Sequence, residues 1–213
     1  MKTLVIFICL VFLNAVNSEN RPLQAGVSSN EEMAATVNKD DIFEYLEETK
    51  EVLVESVEDL SEEQMQFKPD AESWSVAEIV EHINIVEGGL KSMLEAKFAE
   101  DATPELRAEV KMTDEQIIGF ITDRSQKVKT QSQFEPSAKY MSADEALEAF
   151  KDQREDIVDF LKDSDVEDMR NYINEFPFGK IDAYQTVLFM AGHTARHTQQ
   201  IEELKLSDGF PEE

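Results

Sequence analysis

Four long stretches of the chain carry apolar residues at three- and four-residue spacing, the pattern of helices that bury one face. In the first, from Asp40 to Leu60, Ile42, Leu46, Leu53, Val57 and Leu60 share a side, and acidic residues take the other. The second opens at Ser75-Val76-Ala77-Glu78 and runs to about Phe98, with Ile79, Ile83, Val86 and Leu90 facing inward. A third follows Ser142-Ala143-Asp144-Glu145 through Leu147, Phe150, Ile157, Phe160 and Leu161. The last is capped by Asp182 and runs to about Leu206, with Val187, Met190, Ile201 and Leu204 on a broad face.

The starts of these helices are written in the chain. A Ser or Thr followed three residues later by Glu or Gln is a capping box, in which each side chain satisfies the other's backbone N–H. Ser75 and Glu78 fit it, as do Ser142 and Glu145. The same signature at Ser61-Glu62-Glu63-Gln64 predicts a short turn, ended by Lys68-Pro69. At Thr113-Asp114-Glu115-Gln116 it predicts a shorter helix with Ile117, Phe120 and Ile121. Trp74, just before the second long helix, is placed to staple onto Ile79.

Thr130 to Tyr140, with Pro136, reads as a polar connection, and Asn174 to Lys180, with Pro177 and Gly179, as a loop. Period-two alternation is nowhere sustained, and no hairpin dipeptide such as Asn-Gly separates two apolar runs. The expected class is therefore all-α: a four-helix bundle with short accessory helices over residues 40–206, then a tail at 207–213.

The chain's beginning changes the expected compartment. Met1 to Ser18 read as a secretory signal peptide, with Lys2 before an apolar run from Leu4 to Leu13 and small Val16 and Ser18 at the cleavage positions. That run is too short to span a bilayer, which takes roughly 20 apolar residues. Export to a periplasm or the outside follows, with no membrane attachment after cleavage and a flexible leader at residues 19–39. The one cysteine, Cys9, lies inside the signal. The processed chain then has no disulfide, thiol nucleophile or thiolate ligand, and depends on its core.

With Lys+Arg 20 against Asp+Glu 46, the net charge is −26. Phosphate backbones would be repelled, which argues against a nucleic-acid partner. A solvated acidic surface is the plainer reading.

The chain has 3 histidines, and all fall where a helical metal site needs them. His193 and His197 are four residues apart, stacked on one helix face. His82 lies on the apolar side of the second long helix. Three protein nitrogens plus an open position is the arrangement of a catalytic rather than a structural metal. Imidazoles suit zinc, nickel, iron or copper. Rival motifs fail: Thr194 stands where a zincin has Glu, and Ile79, Met190 and Thr194 precede the histidines by three, so there is no Glu-x-x-His element. Gly-x-Ser-x-Gly and Gly-rich phosphate loops are missing too. Gln200, three residues after His197, is a candidate to orient a ligand or its water. Glu78, four before His82, is a candidate general base, although its capping role already explains it.

Leu60-Ser61-Glu62-Glu63-Gln64, then Trp74-Ser75 leading to Glu81-His82-Ile83, resemble the first half of DinB-like (YfiT-like) proteins. Gly179, Asp182-Ala183-Tyr184 and His193-x-x-x-His197-x-x-Gln200-Ile201 resemble the second. The resemblance covers about Asp40 to Leu206. It implies a bundle of up-down-down-up topology with a divalent ion (zinc, nickel or iron) at its mouth, held by His82, His193 and His197. It also implies a small-molecule substrate and a possible homodimer. Some members are thiol-dependent transferases or isomerases using bacillithiol, mycothiol or glutathione, and others are described as metal-dependent hydrolases. Such thiols are cytosolic, so export tips the expectation towards a hydrolase activating a metal-bound water. A metal-dependent thiol transferase and a non-catalytic metal- or ligand-binding protein are the alternatives.

Overall fold

The computed structural model describes residues 42–125 and 128–212, so the expected signal peptide, the leader and Cys9 lie outside the described residues. The long helices are α1 (Ile42–Val57), α3 (Val76–Phe98), α5 (Ala143–Leu161) and α7 (Ala183–Lys205). Shorter ones are α2 (Glu62–Gln66), α4 (Asp114–Thr122) and α6 (Val166–Met169), with 3₁₀ turns at Pro104–Glu109 and Ser132–Phe134.

Capping decides where these helices begin. At Ser61, Ser75 and Thr113 both hydrogen bonds of the box form. Ser142 makes only half of one: its hydroxyl accepts from Glu145 N, while the Glu145 carboxylate turns to Met141 N at 3.0 Å. Asp182 caps α7 by accepting from Gln185 N at 2.7 Å.

Two apolar clusters set the helix directions. One gathers Ile42 and Leu46 from the start of α1, Leu90 and Leu94 from late α3, Ile157 and Leu161 from late α5, and Ala183 to Ala191 from early α7. The other gathers the opposite ends: Leu53 and Val57, Val76 to Ile83, Ala143 to Phe150, and Ile201 with Leu204. So α1 and α7 run one way, and α3 and α5 the other. This is the up-down-down-up bundle, with α1, α7, α3 and α5 packed in a ring.

Parallel neighbours cannot be joined by a tight turn. The link from α3 to α5 has to return the full length of the bundle, and it carries α4 and the Ser132–Phe134 turn across α7 and α3. Gly192 makes that crossing possible on α7, because a Cβ there would sit 2.4 Å from Ile121 Cγ2.

Between the two clusters lies a polar layer with one residue from each long helix. Arg154 pairs with Glu87, donates from Nη1 to Leu46 O at 2.6 Å and Thr49 Oγ1 at 3.1 Å, and from Nη2 to Thr194 Oγ1 at 3.0 Å. Thr194 donates in turn to Glu87 at 2.5 Å. All four side chains are buried.

The expected loop at Asn174 to Lys180 is instead part of an antiparallel hairpin. Strands β1 (Ile173–Phe176) and β2 (Gly179–Asp182) pair from Ile173 with Asp182 to Phe176 with Gly179. Pro177-Phe178 makes the turn, and Gly179 at φ 133° supplies a backbone conformation that side chains disfavour. A lone hairpin is marginal in water. This one is held because Phe176 and Ile181 enter the first cluster. Among the described residues no helix is long and apolar enough to cross a membrane.

Candidate metal centre

The three histidines converge. His82 reaches in from the second turn of α3, and His193 and His197 from the middle of α7. Ring centroids are 5.1 Å apart for His82 and His193, 4.8 Å for His82 and His197, and 4.4 Å for His193 and His197. One nitrogen from each ring lies within 4.8 Å of the others, and all three residues are buried. Among the described residues, no carboxylate or other group joins this cluster.

The hydrogen bonds select the nitrogen each ring presents. Phe134 O lies 2.7 Å from His82 Nδ1, and Gln200 Oε1 lies 2.9 Å from His197 Nδ1. A carbonyl oxygen only accepts, so both rings carry their proton on Nδ1 and keep the Nε2 lone pair for an ion. His193 Nδ1 is buried with no hydrogen-bond partner, a polar atom whose burial calls for an explanation.

Protonation states fit the same purpose. Burial drives the His193 imidazole far below its ordinary range, reinforced by His197, His82 and Arg196. Burial and then His82 push His197 down to about 3, against the opposing hydrogen bond to Gln200. Burial also lowers His82, with the Phe134 carbonyl partly offsetting it. Three neutral imidazoles at neutral pH make a donor set ready for a divalent cation.

That neutrality has a cost in acid. The unfolded chain titrates its histidines at ~6.5, whereas the folded chain takes up those protons only at lower pH, well below that value for His193 and His197. Their neutral burial is therefore fully compatible with folding above ~6.5, and stability falls as the pH drops below it. Each histidine contributes up to about 1.4 kcal/mol per pH unit. The metal-free protein should show a lower urea midpoint at pH ~5 than at ~7, and His197→Gln should flatten that slope. An identical pH dependence in the two proteins would refute the account.

Of the other residues singled out in the sequence, Gln200 joins the centre through His197. Trp74 packs against His82 with centroids 4.8 Å apart, so it walls the site as well as the helix entry. Glu78 does not join: its carboxylate accepts from Ser75 N at 2.9 Å and pairs with Lys68 at 2.6 Å. Phe134 and the polar layer behind Thr194 were missed. The Phe134 contact has no local sequence signal, while the layer does: Glu87 and Arg154 occupy apolar-stripe positions.

The DinB superfamily pattern matches residues 45–201 of the chain. The chain belongs to the DinB superfamily. The chain is also 25% identical to the uncharacterized protein YuaE of Bacillus subtilis strain 168 over 146 residues, covering 68% of this chain and 86% of YuaE. Its fold resembles the solved structure of YfiT from Bacillus subtilis, with a TM-score of 0.55 and 16% identity over 88% of this chain and 92% of YfiT. That structure is described as a probable metal-dependent hydrolase with an unusual four-helix bundle topology. For this DinB-superfamily chain, the YfiT likeness establishes the bundle.

Proposed function

We propose that this chain holds one divalent transition metal (zinc, nickel or iron) through His82, His193 and His197 and acts as a metal-dependent hydrolase on a small molecule. The observation that carries the reading is the convergence of three buried, neutral imidazoles, two with Nδ1 already engaged. Such an ion supplies Lewis acidity and can bring the pKa of a coordinated water near ~7. The description of YfiT, which shares the bundle, supports the same reading.

The residues of the chain set the geometry. The Phe134 carbonyl and Gln200 orient two rings, Trp74 covers one flank, and burial keeps all three rings neutral. Export through residues 1–18 and assembly as a homodimer belong to this proposal and rest on the sequence and its family resemblance. A second reading, a non-catalytic metal-binding protein, is favoured by one observation: Glu78, the candidate base, is committed to its cap and to Lys68.

The test uses untagged protein loaded in turn with zinc, nickel and iron, and presented with ester, amide and phosphoester substrates with and without a low-molecular-weight thiol. Turnover that a chelator abolishes and fresh metal restores supports the hydrolase. Turnover only with thiol would make it a transferase, and tight metal binding without turnover would make it a binding protein.

A further inference from the structure

Next to His82 on α3, Glu81 is buried at 4% exposure, yet it does not face the metal centre's other histidines. Its carboxylate turns to the crossing connection. Oε1 accepts from Ser137 N at 2.9 Å and Ser137 Oγ at 2.6 Å, and Oε2 accepts from Lys139 N at 2.9 Å. Between them Ala138 sits at φ 61°, the left-handed region that a non-glycine residue adopts only under strain. Such strain persists where the surroundings over-determine it, and successive N–H groups folded around one anion form a nest.

The same connection supplies His82's partner. Phe134, three residues before Ser137, offers its carbonyl to His82 Nδ1, and its ring lies against Gly89, where an added Cβ would be 3.5 Å away. On the far side, Tyr140 is tied down by Gln66 Nε2 at its carbonyl, 3.0 Å, and by Asn84 Nδ2 at its hydroxyl, 3.1 Å. The grip on Ser137 and Lys139 therefore stands between the Tyr140 anchor and the carbonyl that orients the histidine.

We propose that Glu81 is a positioning residue for the histidine centre: its carboxylate clamps the 137–139 backbone and so aims the Phe134 carbonyl at His82 Nδ1. The inference rests on the metal-binding reading above and adds a part to it. The clamp needs a carboxylate, because all of these partners donate. Fixing one tautomer and one ring orientation before the ion arrives is what outer partners of metal-bound histidines contribute, commonly ~10–100-fold in affinity.

Glu81→Gln tests this, since it keeps the size of the side chain but turns one acceptor oxygen into an NH₂ that meets another donor. Full-length untagged protein is titrated with zinc alone against a chromophoric chelator. The metal-free form is examined by long-range proton–nitrogen NMR for the His82 tautomer. Expected are zinc binding weaker by about tenfold, the lower end of that range, and loss of the single Nδ1–H tautomer at His82, while His197 keeps its own. Asn174→Ala, which removes the 3.1 Å bond from the hairpin to Thr186 of α7, controls for general loosening. It should lower the thermal midpoint and leave both zinc affinity and the His82 tautomer alone.

Wild-type affinity and an unchanged tautomer in Glu81→Gln would overturn the proposal. So would an equal loss of affinity in Asn174→Ala. If the wild type binds no zinc, the metal reading fails by itself, and the His82 tautomer still decides whether Glu81 positions the ring.

Discussion

His82→Ala and His193→Ala are each expected to lose stoichiometric metal from the purified, untagged protein. The wild type should carry about one equivalent. Removing an outer partner of a ligating histidine commonly costs ~10–100-fold in affinity. Removing the ligand itself leaves two imidazoles, with no third described donor in the cluster to replace it, so the loss should exceed that range. Elemental analysis gives the stoichiometry, and chelator competition gives the affinity. The fold should survive, because each site lies on a long helix whose caps and apolar stripe remain intact. His193→Ala also removes a buried Nδ1 that has no partner, which offsets part of the packing it gives up. Equal metal content in the wild type and both variants would refute the three-histidine centre.

The second large effect concerns stability. Arg154→Met should destabilise the protein by about 3–5 kcal/mol, because it strands the Glu87 carboxylate in the bundle without its cation. The two side chains are 1% and 0% exposed, so water cannot take over the missing partner. Leu46 O and the hydroxyls of Thr49 and Thr194 each lose a guanidinium donor as well. Total stability for a domain is only about 5–15 kcal/mol, and at ~2–4 °C per kcal/mol the thermal midpoint should fall by at least ~6 °C. Replacing both members, Arg154→Met with Glu87→Leu, should recover most of that loss, since well-packed apolar pairs often match buried ion pairs. The pair of single variants and the double variant together form a thermodynamic cycle. A single Arg154→Met variant as stable as the wild type would sink the argument.

Much of the fold was legible because helices advertise themselves locally. The stripe of Ile42, Leu46, Leu53 and Val57 and the caps at Ser75 and Asp182 depend on residues within a turn of one another. The candidate ligands were legible for the same reason: His193 and His197 must share a face wherever α7 goes. The hairpin was not. Pro177 and Gly179 do mark a turn, but no Asn-Gly or Asp-Gly pair marks it as a two-residue hairpin, and the strands hold through contacts that Phe176 and Ile181 make with helices distant in sequence. The half-formed box at Ser142 failed as a prediction because Glu145 had a competing donor in Met141 N.

The number of long helices, their starts, their apolar faces and the pairing of His193 with His197 are properties of short-range spacing, and the chain alone determined them. Tertiary structure decided which of those faces meet. It made α3 and α5 parallel, and so forced the long crossing connection. It placed Phe134 on His82, Ser137 under Glu81 and Arg154 against Glu87. These partners are separated by 52, 56 and 67 residues. No local period encodes such pairs, because their energy exists only once the helices have packed and water has left the space between them.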